Sequence, residues 1–246
     1  MVRGMTDTDR NSDIGTMGER SLHAALKQWY ARPGDRTEVH IDGFLVDIVR
    51  GNLLIEIQTR NFPSIRRKLA ALTENHRVRL VHPIALEKWI VRLGPDGLTQ
   101  LGRRKSPKRG HAIQVFEELV SIPELIADAN FSIELLLIQE EEIRRKGGAR
   151  NWRRRGWGTF DRRLIDVVDR QLLQTPSDFA AFIPPGLIEP FTTQDLAEAL
   201  GRPRDEAQQM AYCLRKMGVV APVGKQGNAI LYARAGVRPV GCDTVL

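Results

Sequence analysis

The stretch from Glu38 to Gln58, EVHIDGFLVDIVRGNLLIEIQ, constrains the fold more than any other part of the chain. Asp42-Gly43 is a type I′ hairpin signal, and Gly51-Asn52 offers a second two-residue turn, so the segment reads as three short antiparallel strands. With two-residue loops the register follows by counting. Ile41 faces Phe44 and therefore Glu38 faces Asp47; Arg50 faces Leu53 and therefore Asp47 faces Glu56. Paired residues share a face of a sheet. One face is thus expected to carry Glu38, Asp47 and Glu56 in a row, with Gln58 just beyond, while Val39, Ile41, Phe44, Val46, Ile48, Leu53, Ile55 and Ile57 form a dry opposite face.

Like charges directly across a sheet are destabilising, so folding alone gives no reason to stack carboxylates. A hard divalent cation does give one. Mg²⁺ takes oxygen ligands and is commonly held by one or two carboxylates together with water and substrate phosphate, which Asp47 and Glu56 on adjacent strands can supply. A solvated antiparallel face, where Asp and Glu are ordinary residues, satisfies the same pattern.

The segment Asp47 to Gln58 resembles the D-x(n)-E-x-K/Q signature of the PD-(D/E)xK nuclease superfamily, whose fold is restriction-endonuclease-like. The resemblance implies an α/β core with a mixed central sheet flanked by helices, an acidic hairpin binding Mg²⁺ or Mn²⁺, and hydrolysis of DNA phosphodiesters. Asp47 and Glu56 take the metal-binding positions. Gln58 stands where most members have Lys, and Glu19, on the first helix, matches an acid that often completes the site. Glu38 and Lys68 form a second tier, Lys68 as a relocated lysine on the helix expected over Ile65 to Asn75. Helix, three-strand meander, helix and strand is the core order of that superfamily, and residues 16 to about 93 follow it.

The chain has 246 residues with 37 Lys and Arg against 30 Asp and Glu, a net charge of +7 that suits a polyanionic partner. No apolar run is long enough to span a membrane and the N-terminus lacks a secretory pattern, so an intracellular, cytoplasmic protein is expected. Cys213 and Cys242 are too few for a disulfide framework or a zinc site; Cys213 is expected to pack within a helix. The first helix, from Thr16 to Ala31, is expected to bury Leu22, Leu26 and Trp29, leaving His23 as a partly exposed helix residue or one that contacts phosphate. A strand is expected over Arg77 to Ile84, a hairpin over Lys88 to Leu101, and a basic loop from Gly102 to Gly110. Two short helices and a strand from Phe131 follow. Arg144 to Arg163 is strongly basic, with Arg153, Arg154 and Arg155 among interleaved tryptophans; it suits a surface tracking nucleic-acid backbone, or a linker whose tryptophans pack on the core. From Leu164 the spacing of Leu164, Val167, Val168 and Leu172 predicts a helix.

Phe191 to Ala233 is organised as a short helix capped by Thr193, a turn at Gly201 to Pro203, a second helix from Arg204 to Met217 ended by Gly218, and a hairpin with its tip at Gly224 to Asn228. This unit resembles a winged helix-turn-helix. The resemblance makes the second helix a recognition helix, presenting Arg204, Gln208, Gln209, Tyr212, Arg215 and Lys216, with Lys225 on the wing. Asp205 and Glu206 near its start oppose deep insertion, and such modules also bind proteins. The expected organisation is a tail over 1–15, a nuclease-like domain over 16–145, a basic linker and helix over 146–186, a winged helix over 187–236 and a tail over 237–246. The expected activity is metal-dependent DNA endonuclease in repair, recombination or defence. The rival is a non-catalytic nuclease-fold DNA-binding protein. The partners are DNA, a second copy of the chain and a protein docking on the winged helix, with no membrane.

Overall fold

Two left-handed residues, Asp42 (φ 49°) and Gly43 (φ 82°), close the first hairpin. That is the type I′ pattern, whose twist matches that of the strands it joins. In the second turn Gly51 alone has positive φ, 56°. The computed structural model describes residues 21–146 and 156–235. Around these turns lie β1 (Arg36–Ile41), β2 (Phe44–Arg50) and β3 (Leu53–Ile57). Their registers are those the turn lengths imply: Val39 opposes Val46 and Thr37 opposes Ile48, while Arg50 opposes Leu53 and Ile48 opposes Ile55.

The chain continues through a 3₁₀ turn at Phe62–Ile65, α2 (Arg66–Thr73), β4 (Arg77–Leu93), β5 (Gln100–Lys105), α3 (Val115–Leu119), β6 (Phe131–Lys146) and β7 (Trp157–Leu173). Among the described residues these strands form one seven-stranded sheet in the order β1-β2-β3-β4-β6-β7, with β5 paired to β4. The protein is therefore α/β, a large mixed sheet flanked by helices. Then come α4 (Pro176–Ala180), α5 (Thr193–Leu200), α6 (Arg204–Lys216) and a separate hairpin of β8 (Val220–Gln226) and β9 (Ala229–Arg234). No helix among the described residues is long and apolar enough to cross a membrane.

The chain divides into two compact units that interleave along the sequence, rather than following one another as linear domains. One is drawn from Met1–Thr59, Leu80–Ala112 and Glu134–Gln171, the other from Arg60–Arg79, Ile113–Ile133 and Leu172–Leu246. In the first, a helix over residues 21–30 (α1) buries Leu22, Leu26 and Tyr30 against Ile48, Ile55, Ile57, Val81, Leu136 and Ile138. Tyr30 takes the inward place expected of Trp29, which is 44% exposed, because the stripe advances by four residues from Leu22 to Leu26 to Tyr30.

Several local expectations need correction. Residues 164–172 are strand, not helix: Ile165, Val167 and Val168 are β-branched, and the segment pairs with β6 in the sheet. It follows that 157–173 is no linker. β4 runs unbroken through Pro83 to Leu93, so two expected strands are one, and Gly102 to Lys105 of the expected basic loop belong to β5.

In the second unit Thr192, not Thr193, caps α5. Its hydroxyl accepts from the Gln194 and Asp195 N–H groups, and Asp195 returns a bond to its main chain. Gly201, at φ 61°, turns the chain out of α5, and Gly218, at φ 72°, follows α6. Helix α6 buries Ala207, Met210, Ala211, Cys213 and Leu214. The hairpin after it is tipped by Gly227 and Asn228 alone, since β8 extends to Gln226.

The first unit also holds a buried ionic network. Glu140, fully buried, accepts from Arg162 Nε and Nη2 at 3.0 and 2.6 Å, with Lys88 Nζ at 3.0 Å. Burial pushes the neighbouring Glu142 carboxyl up. Arg144 at 2.7 Å, Thr159 at 2.8 Å and Lys88 at 3.3 Å outweigh it, holding the pKa at about 2. A folded-state pKa below the unfolded value stabilises the protein above the unfolded pKa and is lost as pH falls towards the folded one. Glu142→Gln is therefore expected to destabilise by up to about 3 kcal/mol at neutral pH. The gap should narrow below about pH 4.5 and close near pH 2, as measured by urea unfolding across pH.

Candidate functional site

Asp47 stands at the point where β2 and β3 stop pairing as a regular ladder. Beyond Ile48 and Ile55 the Ile57 N–H donates to Asp47 Oδ2 at 2.9 Å, so a side chain replaces a strand partner. One step along the same register is Glu56, which is 8% exposed. Val49 and Leu54, on the acid-bearing face, are buried as well. Both faces of the sheet are therefore covered at this level. That corrects the expectation of one dry side, and it excludes ordinary solvated acids as the reason for the pair.

Helix α1 supplies the compensating charge. Carboxylates only accept, so His23 Nε2, 3.1 Å from Asp47 Oδ2, carries the proton between them. The bond to Asp47 raises the His23 pKa above the usual histidine value; burial opposes this, and the charges of Asp47 and Glu56 reinforce it. A single imidazole thus senses both carboxylates. For Asp47, burial pushes the pKa up, yet His23, the Ile57 N–H and Lys27 hold it below the usual aspartate range. Lys27 Nζ lies 2.6 Å from Glu38 Oε1 and 3.9 Å from Asp47 Oδ1. Glu38 sits in the left-handed region (φ 55°) without shifting the β1–β2 register, and its side chain is 64% exposed. It belongs to the rim of the site and reaches it through Lys27.

Gln58 is clamped through its main chain. Its N–H donates to Val81 O at 2.9 Å, and its carbonyl accepts from His82 Nδ1 at 2.8 Å. The acceptor is a carbonyl, so Nδ1 carries the proton. His82 is 7% exposed and rises from β4, the strand beside β3.

Among the described residues no three His, Cys, Asp or Glu side chains are grouped to hold a metal ion by themselves. The donor set still suits a hard ion of the Mg²⁺ type. It offers two carboxylates on neighbouring strands, Glu56 buried and Asp47 half-buried, and leaves further positions for water and phosphate. Asp47 Oδ1, with Lys27 beyond hydrogen-bond distance, keeps acceptor capacity.

Lys68 lies on α2 in the second unit, whereas Asp47, Glu56 and Gln58 belong to the first. Glu19, Arg153, Arg154 and Arg155 lie outside the described residues. His23, read from sequence as a partly exposed helix residue or a phosphate contact, is instead the partner of Asp47, and Lys27 and His82, not singled out there, are the additions the structure makes. A signal for the first two was present: Glu19, His23 and Lys27 recur every four residues, a polar row beside Leu22 and Leu26.

In the second unit Arg204, Gln208, Tyr212, Arg215, Lys216 and Lys225 are exposed and Gln209 is half-buried. Arg215 and Lys216 lie over the Tyr212 ring, each 5.9 Å from its centroid. The start of α6 is acidic. Burial raises the Glu117 pKa, and Glu206 and Asp205 add to it; Arg202 holds Glu206 with two bonds of 2.9 Å.

These features define an α/β protein with a paired-carboxylate site on an antiparallel meander, flanked by a helix bearing His and Lys. The chain belongs to the family described as a domain of unknown function, DUF8091, which matches residues 20–174. It is also similar to an uncharacterized protein of Treponema pallidum (strain Nichols), 29% identical over 225 residues, covering 90% of this chain and 87% of the relative. No solved structure matches.

The His23–Asp47 contact is testable directly. In Asp47→Asn the His23 pKa is expected to fall from its raised value to the ordinary histidine value or below, because the largest raising interaction is gone while burial remains. An NMR titration of the imidazole checks this, and an unchanged pKa would refute the contact.

Proposed function

We propose that this protein is a metal-dependent DNA endonuclease with a restriction-endonuclease-like core and a C-terminal winged helix, acting inside the cell in repair, recombination or defence. The observation that carries the reading is the pairing of a half-buried Asp47 with a buried Glu56 beside one histidine that feels both charges, where fold stability alone disfavours two acids.

Asp47 and Glu56 would hold the Mg²⁺ or Mn²⁺ ion, which supplies Lewis acidity towards a phosphoryl oxygen when bound. Lys27 places a cation at the rim, paired with the exposed Glu38; on exchanging that partner for a substrate phosphate it would provide the positive charge that Gln58 lacks. The Gln58 amide would accept from or donate to a water, and the bonds of its main chain to Val81 and His82 hold the backbone that carries it. His23 keeps Asp47 in one rotamer and ionised. On α6 the basic end with Arg215 and Lys216 is the part suited to phosphate, because Asp205 and Glu206 at the start repel it. A homodimer is the assembly that lets two such sites cut both strands.

One observation favours the rival, a DNA-binding protein that keeps the fold without the chemistry: Asp47 Oδ2 already accepts from both His23 and the Ile57 N–H. Plasmid nicking separates the two readings. The nuclease reading expects Mg²⁺- or Mn²⁺-dependent nicking, abolished by chelation. Asp47→Ala or Glu56→Ala should reduce it by about two orders of magnitude or more, and Lys27→Met by at least about tenfold. Binding without cleavage under either metal would establish the rival.

A further inference from the structure

One end of the first unit's sheet carries cations that the proposed chemistry does not use. There the β4–β5 hairpin turns at Gly94 to Thr99, and Arg145, near the end of β6, packs its guanidinium against Gly97. Gly97 has φ +71°, which favours glycine, and a Cβ there would come within 2.4 Å of Arg145 Nη2, so the guanidinium would have to move from this position. The other side of the guanidinium problem is solved by Phe160, over whose ring Arg145 sits 4.5 Å from the centroid. Arg92 lies over Trp157 at 5.0 Å, and Arg103 and Lys105 both lie over Trp89 at 5.1 Å.

These cations are not equivalent. Arg103 is paired with Glu141 at 2.7 Å and Lys105 with Glu87 at 2.6 Å, so their charge is largely spent within the protein. Among the described residues Arg92, Arg104 and Arg145 have no carboxylate partner, and Arg92 and Arg104 are exposed. The register places those two on one face of the hairpin, since Arg104 opposes Ile90 and Arg92 opposes Gly102. Stacking holds Arg92 in place before any ligand arrives, which reduces the ordering cost of binding.

The partner chemistry follows. Bare, pre-positioned guanidinium groups suit phosphate. The rings Trp89, Trp157 and Phe160 each have a cation on a face, so they are not platforms for unstacked bases, which is what a single-strand surface requires. We infer that this end of the sheet, through Arg92 and Arg104, is a contact surface for the phosphate backbone of duplex DNA. The inference rests on the reading that DNA is the substrate, and it assigns the duplex form as the one engaged here.

The test uses the full chain with a fluorescent 20-base-pair duplex and a dT oligonucleotide of equal length, with affinity followed against salt. Each phosphate contact contributes about 0.9 to the slope of log K against log salt. Arg92→Gln with Arg104→Gln should lower the duplex slope by about 1.8, and Arg104→Gln alone by about 0.9. The single variant alters an exposed strand residue, so it keeps the test decisive if the double variant folds poorly. An unchanged slope overturns the inference. So does an equal loss in Arg36→Gln, an exposed cation on β1, which would mean diffuse charge and no defined surface. Tighter binding of the dT strand with quenched tryptophan fluorescence overturns it too, in favour of base stacking. Nicking measured in parallel separates the two claims: slope loss without any metal-dependent cleavage keeps the surface and removes the nuclease, and cleavage with an unaltered slope does the reverse.

Discussion

The organisation of the first unit depends on what happens to one carboxylate. Where β2 and β3 part, Asp47 Oδ2 accepts from the Ile57 N–H as if it were a strand partner and accepts a second hydrogen bond from His23 at the same oxygen. A buried carboxylate with neither bond would carry a desolvation cost of several kcal/mol, and a second acid at the next register position would add to it. Helix α1 answers both. Leu22, Leu26 and Tyr30 anchor it on the core, and that anchoring delivers His23 and Lys27 to the acids. Hydrophobic packing therefore sets the electrostatics: α1 cannot slide by a turn along the sheet without separating cations from carboxylates.

The meander was legible because its determinants are local. Asp42-Gly43 and Gly51-Asn52 specify turn lengths, and counting outward from them yields the pairing of Thr37 with Ile48 and of Ile48 with Ile55. What surrounds the meander was not legible. Nothing near His23 or Lys27 in sequence says which strand they meet, because their partners are 24 and 20 residues away and are chosen by the docking of α1. β7 misled for a related reason. From Leu164 onward its half-buried positions are Leu164, Val167 and Gln171, a spacing of three and four that imitates a helix face, yet pairing with β6 decides the conformation. Local periodicity reports burial, and burial at the edge of an irregular strand need not alternate.

The second unit divides its charge along α6. Acids crowd its first turn, with Glu117 held near enough to have its pKa raised, while Arg215 and Lys216 close the last turn around Tyr212. That order complements the helix dipole at both ends and stabilises α6 independently of any ligand. It also means that a polyanion meets repulsion at one end of the helix and attraction at the other. A docking mode that inserts the start of α6 among phosphates is the costly one; one that lays its end and the β8–β9 hairpin on a backbone is not.

Gln58 is where structural and chemical constraints meet. A lysine there would add a third cation to the end of the meander where His23 and Lys27 already meet Asp47. An amide keeps hydrogen-bonding capacity without that excess. The clamp on its main chain from Val81 and His82 removes backbone freedom at this position. A charged side chain can find an anion from several geometries, whereas an amide has to be aimed. His82 and Val81 of β4 thus hold the Gln58 main chain from one side of β3, while Asp47 of β2 holds the preceding Ile57 N–H from the other, so both neighbouring strands fix the end of β3.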